Sequence, residues 1–159
     1  RPVATSRSVL TFNISTEVDG NFRAVFQGFS RDLFLRLNPP LPPVKLLRFD
    51  GMGVGDEVHL ELSFIFFRQR WISRITAFEE SENEILFVDE GIQLPFFLQS
   101  WRHCHRIVDR QGQATIIDEI TFQAPNRLLS LLLLPTLYLQ FLYRKPIYKR
   151  FFSDLQATG

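Results

Sequence analysis

Apolar and polar residues alternate from Val44 to Ala124 in segments divided by short polar turns, and at Pro125 the alternation gives way to a leucine-rich run. Alternation with period two puts successive side chains on opposite faces of a strand, so the first stretch reads as an antiparallel meander with one buried face. Strands are expected near 44–50, 56–67, 69–79, 84–93, 97–108 and 113–124. Turns are expected at Gly51-Met52-Gly53-Val54-Gly55, Glu80-Ser81-Glu82-Asn83 and Asp109-Arg110-Gln111-Gly112. The glycine-rich turn lacks the Lys-Ser/Thr pair and following helix of a phosphate loop, so it reads as a hairpin connection.

Beyond Pro125, Asn126 is a suitable cap for one long helix over 127–152. Its apolar stretch from Leu128 to Tyr143 contains Pro135 and Gln140 and falls short of the roughly 20 residues a bilayer requires. It therefore reads as a buried helix, not an integral membrane segment. Pro135 and Pro146 each remove a backbone donor and are expected to kink or interrupt it. Ahead of the meander, residues 8–16 place Leu10, Phe12 and Ile14 on one face of a first strand. Asn21 to Gln27, closed by Gly28, and a second segment capped by Ser30 and running to Leu37 read as short helices. The run Asn38-Pro39-Pro40-Leu41-Pro42-Pro43 reads as a stiff loop.

This order of elements is α+β. Two short helices cannot cover a sheet of about seven strands, so the sheet must curve around the long C-terminal helix. Residues 1–159 are expected to form one domain with a core over about 8–152. Seventeen phenylalanines point to a bulky core or to the lining of an apolar cavity. A net charge of +1 offers no concentrated basic face for nucleic acid. Cys104 is the single cysteine, which excludes an intrachain disulfide and Cys-rich zinc sites and suits a reducing, cytoplasmic setting.

Trp101, His103, His105 and Ile107 share one face of their strand, opposite Arg102, Cys104, Arg106 and Val108. Because arginines belong in water, the Trp-His-His face is expected to point inward. On the next strand Ile116, Asp118, Ile120 and Phe122 share a face and also point inward. A two-residue loop at Arg110-Gln111 would put His103 directly opposite Asp118. Such a pair can orient an imidazole as a general base, contact a ligand, or simply satisfy a buried histidine. Two histidines and a carboxylate could in principle hold zinc. Same-face histidines two apart are common without metal, however, and neither a metal nor a cofactor is expected. Glu90 is placed either inward beside Ser73 or at the solvated rim.

The residues Phe87-Val88-Asp89, Leu94-Pro95-Phe96-Phe97, Trp101-x-His103-x-His105, Asp109-Arg110-Gln111-Gly112, Ile117-Asp118-Glu119-Ile120-x-Phe122 and Leu142-Tyr143-Arg144 resemble the START-like superfamily, also called SRPBCC or Bet v 1-like. They look most like a bacterial ligand-binding branch, some of whose members are linked by name to cell-division inhibitors. Leu94 stands where that branch tends to carry glycine, and Asn126-Arg127 follows Pro125 where a Gly-containing turn is usual. The resemblance implies a helix-grip fold and a cavity for a lipid, polyketide or isoprenoid. On that basis Trp71, Trp101, His103, His105, Asp118, Ile120 and Phe122 are the expected ligand-binding residues. Binding without catalysis is the leading expectation. A cyclase- or dehydratase-like enzyme using His103 with Asp118, and a protein- or membrane-interaction module, are the alternatives. Oligomeric state is left open.

Overall fold

In the computed structural model, which describes residues 8–158, seven antiparallel strands form one curved sheet in the order β1-β7-β6-β5-β4-β3-β2. The strands are β1 (Val9–Val18), β2 (Val44–Phe49), β3 (Glu57–Ser63), β4 (Arg68–Glu80), β5 (Glu84–Gln93), β6 (Ser100–Arg110) and β7 (Gln113–Gln123). The helices are α1 (Phe22–Gln27), α2 (Arg31–Leu37), α3 (Arg127–Leu142) and α4 (Arg144–Ala157). Consecutive strands from β2 to β7 pair as hairpins, and β1 closes the far edge by pairing with β7.

The helix starts follow from their capping side chains, each of which satisfies a backbone N–H that the first turn leaves without a partner. Asn21 accepts from the Ala24 N–H, Ser30 from the Leu33 N–H and Asn126 from the Leu129 N–H. The expected single C-terminal helix is divided at Tyr143, whose backbone stays right-handed helical. The division lies one turn before Pro146, whose ring would crowd the Leu142 carbonyl and whose nitrogen has no proton to give it. Pro135 lies inside α3 without ending it.

Two further boundaries differ from expectation. The connection after β3 falls at residues 64–67, where the Phe67 carbonyl accepts from the Phe64 N–H, so Arg68 opens β4 instead of dividing two strands. Strand β6 begins at Ser100, three residues later than the alternation implied.

The apolar interior consists of two clusters. One gathers Phe22, Val25, Phe29 and Leu33 from α1, α2 and their connection against Tyr148, Phe151 and Phe152 of α4 and the β5–β7 face. The other packs Leu137 and Phe141 of α3 on Trp101, Ile120, Phe122 and Ile14. No helix among the described residues is long and apolar enough to cross a membrane.

Candidate functional site

The tip of the β6–β7 hairpin sets the register of the site. Arg110 pairs with Gln113, so Gln111 and Gly112 form the loop, with φ of 58° and 87°. These positive values match a two-residue turn whose twist suits flanking strands. The loop therefore lies one residue beyond the expected Arg110-Gln111, which shifts every pairing partner by two, and His105, not His103, lies directly opposite Asp118. A slip of two preserves the face of every side chain, whereas a slip of one reverses it. His103 and Asp118 consequently still meet, diagonally, with Nε2 2.7 Å from Oδ1.

A second carboxylate completes the arrangement from the other side. Asp89 on β5 is level with His103, yet its Oδ2 accepts from His105 Nε2 at 2.6 Å. Each aspartate thus sits level with one histidine and bonds to the other. The two imidazoles stack at 3.5 Å, and the Phe87 ring stacks on His105 at 4.3 Å, forming a three-ring column across β5 and β6. The column is sealed edge-on by Phe141 of α3 against His103 and by Phe29 against His105.

Asp89 was not singled out from the sequence as a site residue, although it shares a face with Ile85 and Phe87 by alternation. The sequence reading looked instead to Glu90, through a turn closed by Glu79 and Glu84. The turn is closed by Glu80 and Ile85, and bulges shift the β4–β5 register, so Glu90 pairs with Arg74 and Ser73 with Gly91. Arg144 was also passed over. It shares a helical face with Phe141 and Tyr148, donates to the Tyr148 hydroxyl at 3.4 Å and lies over the Phe141 ring at 4.3 Å.

Burial shapes the protonation of this cluster. His103, 3% exposed, is pushed down to about 4, first by burial and then by the neighbouring His105, against the opposing pull of Asp118 and Asp89. Burial alone would raise both aspartates. Hydrogen bonds from His105 to Asp89 and from His103 to Asp118, with the charge of Arg144, outweigh it and hold both carboxyls below their ordinary value. Burial likewise opposes the charge on Arg144, but Tyr148, Asp118 and Asp89 together raise it. A neutral His103 and ionised Asp89 and Asp118 are the resulting state near neutral pH.

The cluster opens on a cavity of about 140 Å³ between the sheet and the helices, comparable with the ~150 Å³ that holds a benzene-sized molecule. Its apolar wall includes Phe29, Leu37, Val58, Leu62, Ile75 and Leu137, and its ionisable lining residues are Asp89, His103, His105 and Arg144. Of the expected ligand-binding residues, Trp71, Trp101, His103 and His105 line this space. Asp118 lies behind His103, while Ile120 and Phe122 are fully buried beneath α3 in the second apolar cluster. Cys104 is buried on the opposite face, its thiol pushed up to about 11 by burial and then by Glu119.

No protein-family model and no curated protein sequence matches the chain. Among solved structures, 95% of it superposes on the di-domain ARO/CYC StfQ from the steffimycin biosynthetic pathway, with a TM-score of 0.69 and 11% identity. The chain spans about half of that protein, 53%. It is similar to the Zhui aromatase/cyclase from Streptomyces sp. R1128 over 88% of its length and 91% of that chain, with a TM-score of 0.64 and 12% identity. Norcoclaurine synthase from Thalictrum flavum aligns over 95% of this chain and 97% of its own, with a TM-score of 0.62 and 12% identity. At these identities the likeness establishes the fold: a Bet v 1-like helix-grip, with the sheet wrapped around the C-terminal helices.

Proposed function

We propose that residues 1–159 act as a ligand-binding domain that takes up a hydrophobic or aromatic small molecule, of lipid, polyketide or isoprenoid class, between the sheet and α3–α4. The observation that carries this reading is an apolar cavity whose charged and imidazole groups are grouped at Asp89, His103, His105 and Arg144. That pattern fits a ligand with an apolar body and one oxygen-bearing end, because a few placed polar groups in an apolar pocket fix orientation. A volume of about 140 Å³ suits a single ring or one segment of a longer molecule. Within this proposal the chain is nearest the bacterial branch linked to cell-division inhibitors and acts in the cytoplasm; the Trp101-x-His103-x-His105 strand and the lone Cys104 support those two points.

The test is native mass spectrometry of freshly purified protein, together with thermal shifts on adding monocyclic aromatic and short-chain isoprenoid probes. A bound apolar adduct, or stabilisation that Leu137→Trp removes by filling the space, is expected. Absence of any adduct and of any shift would overturn the reading.

A second reading is supported by the 2.7 Å His103–Asp118 contact and by the similar structures, which are aromatase/cyclases and a synthase. In it His103, oriented by Asp118, moves a proton on a bound polyketide-like substrate, a step typically worth about 10² to 10⁴ in rate. Turnover should then fall by that factor in His103→Ala while ligand binding is largely kept. Unchanged turnover in the variant would exclude this role.

A further inference from the structure

We propose that Asp89, His103 and His105 form a binding site for a divalent first-row transition-metal ion, with Asp118 orienting both imidazoles from behind. The three residues line the cavity, and one ligand atom from each lies within 4.8 Å of the others. Asp89 Oδ2 is 2.6 Å from His105 Nε2 and 3.7 Å from His103 Nδ1. Metal bonds of about 2.0–2.2 Å to nitrogen and oxygen set neighbouring ligand atoms roughly 3 Å apart. The two distances bracket that spacing at the carboxylate, and binding requires the imidazoles, stacked at 3.5 Å, to swing apart so that both nitrogens aim at one ion.

Counting protons gives the second, independent reason. A neutral imidazole has one N–H. With His103 Nε2–H donated to Asp118, His103 Nδ1 turns a lone pair toward the Asp89 carboxylate, so two acceptors face each other. With His105 Nε2–H donated to Asp89, His105 Nδ1 is left without a hydrogen-bond partner in a side chain 8% exposed. A cation on the Asp89 side resolves the first and turns the second into an N–H facing a carboxylate. It takes His103 Nδ1 and His105 Nε2 as ligands, and His105 then carries its proton on Nδ1, facing Asp118 Oδ1 at 3.8 Å. Asp118 thereby accepts the second N–H of His103 at 2.7 Å and faces that of His105, approaching the carboxylate–histidine–metal arrangement that fixes ring orientation and raises ligand basicity.

Charge favours the same outcome. Asp89 and Asp118 bring two negative charges into the buried cluster against the one positive charge of Arg144, and a dication offsets the excess. Two imidazoles and a carboxylate, with the only thiol on the opposite face, suit zinc and its first-row neighbours more than calcium or magnesium. Three protein ligands leave a coordination position open on the cavity side, where an oxygen of a ligand or water completes the shell. The proposal rests on the donor set and stands whatever apolar molecule the cavity holds.

The full chain, stripped with a chelator and dialysed, is titrated with Zn²⁺ and followed by ring-proton NMR of its three histidines. One equivalent should shift the His103 and His105 resonances and leave His59 unmoved; this requires no variant. Co²⁺ in place of Zn²⁺ should give visible absorption saturating at one equivalent. Asp89→Asn should abolish that absorption, and Asp118→Asn should weaken binding about 10- to 100-fold. His59→Ala should have no effect, because His59 pairs with Glu57 at 2.9 Å on another part of the sheet. Absence of saturable Co²⁺ absorption in the wild type overturns the proposal, as does a Zn²⁺ response confined to His59.

Discussion

His103 couples the stability of the molecule to pH in a direction fixed by its burial. Its ordinary pKa of 6.5 falls to about 4 in the fold, so between those values the unfolded chain binds the proton and the folded chain does not. The contribution is therefore complete above pH 6.5, declines as pH falls toward 4 and is spent below it, a loss of about 3 kcal/mol. Asp89 and Asp118, both lowered, extend the loss, since their stabilisation disappears as pH falls through their depressed values. Urea unfolding in the presence of a chelator should show a steep fall in stability from pH 7 to 4.5. In His103→Gln, whose amide can still donate to Asp118, the slope over that window should flatten. An identical slope would assign the acid sensitivity elsewhere. The His103–Asp118 pair was legible in the sequence because alternation determines faces, and faces survive a two-residue slip. Asp89 was overlooked because its partners lie on β6, across a connection over residues 94–99 too long for a turn to set the register.

At the scale of elements, the C-terminal end of α1 at Gly28 lies tightly against α4. A Cβ added at Gly28 would lie 2.6 Å from Phe152 Cε1 and 3.2 Å from Leu155 Cδ2. The backbone there, at φ −77°, accepts alanine without strain, so the whole cost of Gly28→Ala is overpacking against a fully buried ring. It should destabilise the protein by about 1–3 kcal/mol. Combined with Phe152→Leu, the pair should cost less than the sum of the single changes, because the smaller side chain vacates the contested space. Strict additivity by denaturant unfolding would show that α1 relaxes away from α4. The sequence identified Gly28 as a helix terminator but carried no information on what lies against it. Helix starts were readable because Asn21, Ser30 and Asn126 act within three residues. The division at Tyr143 needed the further step of asking which carbonyl Pro146 leaves without a donor.

Across the whole molecule, the two apolar clusters are unequal in what holds them closed. Helix α4 buries Tyr148 and Phe152 completely beneath α1 and α2. Helix α3 buries only Ser130, Leu137 and Phe141, lacks the backbone bond that Pro135 cannot make, and leaves Leu128, Leu132 and Leu139 more than half exposed. An apolar helix with an interrupted backbone ladder and exposed leucines opens at a smaller free energy than the sheet it covers. Since Leu137, Gln140 and Phe141 form part of the cavity wall, opening of α3 would widen the cavity beyond its present volume of about 140 Å³. The sequence could supply the aromatic inventory of such a cavity. It could not locate the space itself, because a void is the residue of packing between elements and belongs to none of them. Hydrogen exchange should therefore find α3 amides exchanging through local opening, well before α4 and the central strands β5–β7, which wait for global unfolding. A probe molecule that occupies the cavity should slow exchange selectively in α3 and the tip of α2, because only the closed form buries it. Uniform protection of α3 and α4 in the free protein would mean that the C-terminal helices move as one body, and the cavity would then admit nothing larger than its present volume.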